Sequence, residues 1–227
     1  RLVALREQDS LVRDVIHGLH IEGPFLNEMD GYRGAHPLDA VMPANLDVMK
    51  RLLDAAGGLT RIVTLAPERD ANMTVTRFLA DQNISVSAGH CDPTGDELDA
   101  AIDAGLLMFT HLGNGCPMLM HRHNNIIQRV LARADRLHLM FIADGTHVPF
   151  DTLANYLKVV DRARTIVVSD ATTPAGLGPG RYTISRWEVD VGEDLVIWAP
   201  DRSHFIGSAM SMPRCDENLR KHLGLAP

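Results

Sequence analysis

Residues 84–115 read ISVSAGHCDPTGDELDAAIDAGLLMFTHLGNG, and the fold follows from how this stretch divides. Ile84 to Ala88 and Leu106 to Thr110 are short β-branched or apolar runs. Such runs suit strands of a parallel sheet covered by helices. Between them, Thr94 and Glu97 form a Thr-x-x-Glu capping box that opens an amphipathic helix over Thr94 to Ala104, closed by Gly105. Strand, helix and strand make one βαβ unit, and each strand is followed by a histidine, His90 and His111.

The same alternation extends in both directions. Asp14 to Ile21 reads as a strand after a polar helical stretch that ends near Arg13; Thr60 to Ala66, Leu137 to Ala143 and Thr165 to Ser169 are three more. Helical patterns cover Pro43 to Ala56, Ala71 to Gln82, Asn125 to Ala134 and Phe150 to Ala163. Repeated β-then-α units with right-handed crossovers admit an open doubly wound sheet or a (β/α) barrel. A nucleotide-binding doubly wound fold needs a Gly-rich turn after its first strand, and neither GxGxxG nor GxxxxGK[ST] occurs. Instead, the strand ends carry polar groups: Glu22, Glu68, His90, His111, Asp144 with His147, and Asp170. A barrel gathers such ends around one mouth. The expectation is therefore a (β/α)8 TIM-like barrel in α/β class, one domain over residues 1–227. Six strands leave two of the eight to be supplied, expected before Arg1.

Composition narrows the classes. At 45% apolar and 22% charged, the 227 residues can build a sizeable core and are not a disordered chain. A formal charge of −7 argues against a broad nucleic-acid or membrane surface, so neither partner is expected. No apolar run approaches the roughly 20 residues that cross a bilayer. Cys91, Cys116 and Cys215 are widely spaced with no CxxC pair, which indicates neither a disulfide framework nor a thiolate zinc knuckle. A cytoplasmic setting is expected. The chain opens on Arg1 rather than Met, as a piece of a longer chain does.

Glu22, His90 and His111 carry the chemistry. A carboxylate and two neutral imidazoles match the donor set of a catalytic zinc, with a fourth position left for water. Asp170, after the last apolar run, is the expected general base and acid. His147, in Asp144-Gly-Thr-His147, and His36, in Gly34-Ala-His36-Pro, suit stabilisation of a developing oxyanion, and each equally fits a hydrogen-bonded structural histidine. The His121-Arg122-His123 loop suits an anionic group through the arginine fork, or a solvated surface loop. Cys91, next to His90, is expected to pack rather than bind.

Eight ordered stretches carry a family likeness: Gly18-Leu-His-Ile-Glu22-Gly-Pro-Phe-Leu-Asn27, Gly34-Ala-His36-Pro, Leu65-Ala-Pro-Glu68, Val86-Ser-Ala-Gly-His90, Thr110-His111-Leu-Gly-Asn114, Ile142-Ala-Asp-Gly-Thr-His147, Ser169-Asp170-Ala-Thr and Gly207-Ser-Ala-Met210. Together they resemble the N-acetylglucosamine-6-phosphate deacetylase family of the amidohydrolase superfamily. The resemblance implies a deformed barrel that hydrolyses the acetamide of an N-acetylhexosamine 6-phosphate. It implies metal ligands at Glu22, His90 and His111, most simply for one Zn²⁺, and a catalytic Asp170. It puts His147 and His36 at the substrate, with Ala35, Asn114, Gly115, Arg122, Phe205, Ile206 and Gly207 lining its site. It further implies a homodimer in which the 121–123 loop works across the interface, and a flanking small β-sandwich that this chain lacks. The family's first barrel strand often carries a metal-binding His-x-His or a variant, and no such strand segment occurs here. Gly115-Cys116 and residues 121–125 also depart from the usual loop. Two other readings stay open: an amidohydrolase acting on a cyclic or N-acyl amide, and a non-catalytic sugar-binding module.

Overall fold

Six of the apolar runs become parallel strands: β1 (Leu19–Glu22), β2 (Thr60–Leu65), β3 (Ser85–Ala88), β4 (Leu106–Phe109), β5 (His138–Ile142) and β6 (Thr165–Val168). The computed structural model of the chain describes residues 1–184, 187–199 and 205–225. Strand order in the sheet equals chain order, β1 through β6, and every neighbouring pair is parallel. A doubly wound sheet reverses its strand order at a switch point. This one never reverses, so its strands run round in a single sense as a half-barrel.

Helices cross over between successive strands: α3 (Leu46–Ala55), α4 (Thr74–Asp81), α5 (Gly95–Asp103), α6 (Ile126–Leu131) and α7 (Phe150–Val159), after α1 (Leu2–Gln8) and α2 (Ser10–Val15). The core lies between these helices and the sheet. Met49, Leu79, Leu98, Val130 and Leu153 from the helices meet Val63, Val86, Leu106 and Leu139 from the strands, all essentially out of solvent. Full burial of each such side chain is worth about 1.5–3 kcal/mol. Thr94 and Glu97 form the capping box at the start of α5.

Three local outcomes differ from the sequence reading. Asp14 and Val15 end α2 rather than begin β1, because the Asp9 carboxylate accepts from Leu11 N–H and Val12 N–H and caps a helix that runs on to Val15. α7 stops at Val159, short of Ala163, because Asp161 caps a separate 3-10 turn over Arg162–Arg164. The third is a second sheet, antiparallel, of β7 (Gly180–Ile184), β8 (Trp187–Val191), β9 (Val196–Trp198) and β10 (Phe205–Ser208). It has a small core of its own around Val189, Val191, Ile197 and Ile206. β10 joins this sheet to the end of β6: Ser208 N–H donates to Asp170 O at 3.2 Å and Thr172 N–H to Ser208 O at 2.9 Å. α8 (Met212–Leu223) returns across the half-barrel, where Asn218 Nδ2 donates to Ala143 O at 3.1 Å and His222 stacks on Phe150. Among the described residues no helix is long and apolar enough to cross a membrane.

Candidate metal centre

Parallel strands leave all their C-terminal ends on one side, and two offsets from those ends place the side chains there. Glu22 is the last residue of β1. His90, His111 and Asp170 each lie two residues past the ends of their strands, Ala88, Phe109 and Val168. All three have a left-handed backbone, with φ of 52°, 30° and 49°. That conformation costs a non-glycine residue roughly 1–3 kcal/mol and collects at functional sites.

The donor atoms converge. His111 Nε2 lies 3.2 Å from Glu22 Oε1 and 3.1 Å from His90 Nε2, and His90 Nε2 lies 3.6 Å from Glu22 Oε1. Metal bonds of about 2.0–2.1 Å in a tetrahedron hold ligand atoms about 3.3 Å apart. The observed separations bracket that edge, so two imidazoles and a carboxylate fit a divalent cation. His90 is held in the tautomer that ligation requires, since its Nδ1–H donates to Tyr32 O at 2.8 Å and leaves Nε2 as the free lone pair. Burial, reinforced by the neighbouring His111, pushes its imidazole down to about 3. Burial also acts downward on His111, but Glu22 and the charge of Asp170 outweigh it and hold His111 above its ordinary value. Burial alone would raise the Glu22 carboxyl; hydrogen bonding to His111 and His36 instead holds it well below the usual carboxylate range.

His36 completes the cluster, with Nε2 3.5 Å from Glu22 Oε2 and its ring edge-on to His90 at 4.7 Å. Gly115 permits the close approach: a Cβ there would stand 2.9 Å from His90 Nδ1 and 3.3 Å from the His111 ring, at φ +60°. Asn114 lies three residues past His111 and is tied to its carbonyl.

No family model matches the chain. Among curated proteins, it is 34% identical over 187 residues to N-acetylglucosamine-6-phosphate deacetylase of Bacillus subtilis (strain 168), covering 82% of this chain and 46% of the relative. It is 30% identical over 210 residues to N-acetylgalactosamine-6-phosphate deacetylase of Escherichia coli O157:H7, covering 92% of this chain and 54% of that protein. Among solved structures, N-acetyl-D-glucosamine-6-phosphate deacetylase from Mycobacterium smegmatis, a mutant in complex with N-acetyl-D-glucosamine-6-phosphate, superposes with a TM-score of 0.86 at 28% identity, over 99% of this chain and 57% of that one. This chain's curated relatives and structural neighbours are N-acetylhexosamine-6-phosphate deacetylases, alike over most of its length. It spans about half the length of the curated deacetylases it matches.

A second group of the expected residues gathers around His147. His147 donates from Nδ1 to Asp144 Oδ2 at 2.6 Å, while Asp144 Oδ1 accepts from Thr146 N–H and His147 N–H. Burial would raise the Asp144 carboxyl, but these bonds, led by His147, bring it below its ordinary value. The His147 ring packs on Phe205 at 4.7 Å, and Phe205 on Trp198 at 4.4 Å. Ile206 is buried in the small core against which Ala35 packs. Gly207, at φ +96°, backs onto Thr172 and Asp170 O. Asp170 itself is exposed. Arg122 is not brought in: it is exposed on the 121–124 turn, with no polar partner among the described residues. Cys91 is buried in the main core. One group carries no sequence signal, the Tyr32 carbonyl, which any residue could supply; the sequence puts Asp144 at a strand end beside His147 but does not mark it as that histidine's hydrogen-bond partner.

Proposed function

We propose that this chain carries the hydrolytic centre of a metal-dependent deacetylase that splits the acetamide of an N-acetylhexosamine 6-phosphate into acetate and the amino sugar phosphate. The convergence of the Glu22, His90 and His111 donor atoms within 4.8 Å of one another carries this reading. Zinc is the metal we assign, from a ligand set of two imidazoles and one carboxylate. When bound, such a cation supplies Lewis acidity, polarising a carbonyl and making water acidic enough to attack it near neutral pH. Asp170 takes the proton from the attacking water and returns it to the nitrogen as the C–N bond breaks. His147, fixed through Nδ1 by Asp144, offers Nε2 to the substrate, and His36 stands beside Glu22 where the acetamide oxygen is to be met. Ala35, Asn114, Gly115, Phe205, Ile206 and Gly207 line the sugar.

The half-barrel is read as six of the eight strands of a (β/α)8 barrel, and the chain as one domain of it. The exposed Arg122 suits a loop that reaches the phosphate of a second copy, hence a homodimer. Three free cysteines agree with a reducing cytoplasm. Supplied with Zn²⁺, the purified chain is expected to release acetate from N-acetylglucosamine 6-phosphate and not to open cyclic amides or cleave N-acyl amino acids. Asp170→Asn should keep the metal and lose roughly 10²- to 10⁴-fold in turnover. The opposite substrate preference overturns the sugar phosphate. Absence of stoichiometric metal, with nothing further lost in His90→Ala or His111→Ala, overturns the hydrolase and leaves a binding module.

A further inference from the structure

Glu68 stands at a strand end but outside the ligand cluster. It lies in the 3-10 turn Pro67–Arg69 that follows β2. Its two oxygens are used unevenly. Oε1 accepts two hydrogen bonds, from Asn27 Nδ2 at 2.9 Å and from Asp92 N–H at 2.6 Å. Oε2 is closed off from solvent and has no partner among the described residues. A buried carboxylate satisfied on one side only is a costly arrangement unless the donors themselves have to be held.

Both donors belong to the segments that grip His90. Asn27 N–H donates to His90 O at 3.0 Å. Asn27 Oδ1 accepts from Met29 N–H at 2.9 Å and so starts the turn that leads to Tyr32, whose carbonyl takes the His90 Nδ1–H. Asp92, two residues beyond His90, pairs with Arg129. The loop before the ring and the segment after it thus meet on a single oxygen of Glu68. Without that oxygen, the loop that presents the Tyr32 carbonyl keeps its ties through Phe25 O and the Glu28–Arg69 ion pair but loses the one it shares with residue 92, and the hold on the imidazole loosens.

We propose that Glu68 is a positioning residue for the metal, locking the 27–32 loop and residue 92 so that His90 presents Nε2 and no other atom to the cation. This rests on the reading of Glu22, His90 and His111 as its ligands. Residues that hold a ligating histidine in place typically matter by roughly 10- to 100-fold in metal affinity.

The test is Co²⁺ binding to the purified chain, followed by competition with a chromophoric chelator and by the visible spectrum of the bound ion. Glu68→Ala should bind roughly 10- to 100-fold more weakly than the unaltered chain, with a changed spectrum. Glu68→Gln keeps an oxygen for Asn27 and Asp92 and should restore most of the affinity. Asn27→Ala cuts the same tie without touching Glu68, so it should weaken binding to a similar extent, and the double variant should add little. Unchanged affinity and spectrum in Glu68→Ala overturns the proposal, and so does equal loss in Glu68→Gln and Glu68→Ala. Where Glu68→Ala does not fold, Asn27→Ala decides alone, with unchanged affinity counting against. If the unaltered chain takes up no Co²⁺, it is the ligand reading that fails. If it does and the variants match it, only Glu68 loses its role.

Discussion

His90 and His111 differ in what each must give up before it can bind a cation. A ligand imidazole has to be neutral. His90, at about 3, is neutral well below physiological pH, whereas His111, raised by Glu22, still holds a proton where an ordinary histidine would have lost most of its own. Metal uptake should therefore displace close to one proton, not two, on the acid side of neutrality. Affinity should rise with pH until His111 has deprotonated and then level off. Proton release in lightly buffered titrations with Zn²⁺ checks this, and a slope of two protons per metal would contradict it. At this scale the cluster was legible, because Glu22, His90 and His111 each close an apolar run. The groups that steer them were not. The carbonyl of Tyr32 has no side-chain signature, and the pairing of Glu68 with Asn27 spans 41 positions and exists only once β1 and β2 lie side by side.

Between the elements, β10 is the least expected contributor. Its residues 205–208 press against the segment that carries Asp170, and Gly207 is the point of contact. A Cβ there would lie 2.6 Å from Thr172 Cγ2 and 3.3 Å from Asp170 O, at φ +96°. Thr172 is β-branched and stiff at χ1, so the backbone must yield. Gly207→Ala should cost about 1–3 kcal/mol by chemical denaturation and cut turnover while leaving metal stoichiometry intact, since none of the three ligands lies on this strand. Loss of metal in step with activity would instead mean that β10 supports the ligand cluster. The antiparallel sheet went unread for a physical reason. Gly180–Ile184 and Trp187–Val191 are largely exposed and polar on alternate positions, and their apolar residues join only a small separate core with Ile197, Ile206 and Ala35. The parallel strands, buried by helices, advertise themselves as apolar runs. α2 shows the converse error, in which Val15 and Ile16 prolong an apolar run across a helix end.

Across the whole molecule, the half-barrel has two borders. β1 is paired with β2 alone and β6 with β5 alone among the described residues, and neither border strand is fully buried anywhere along its length. Backbone groups on an unpaired border face solvent or await another strand. Amides of β1 and β6 should exchange with solvent deuterium faster than those of β3 and β4. Equal protection across all four would mean that something covers the borders in solution. The half-barrel itself was readable from the ends of its strands, since polar groups that must meet require a curved sheet. The borders were anticipated only by counting strands. The left-handed turns at His90, His111 and Asp170 have a last consequence, for durability. Asp170 is solvent-facing, so glycine in its place would open no void and would relax a torsion that aspartate tolerates only at a cost. Stability alone would favour glycine at this position, so an Asp170→Gly chain is expected to melt no lower than the unaltered one.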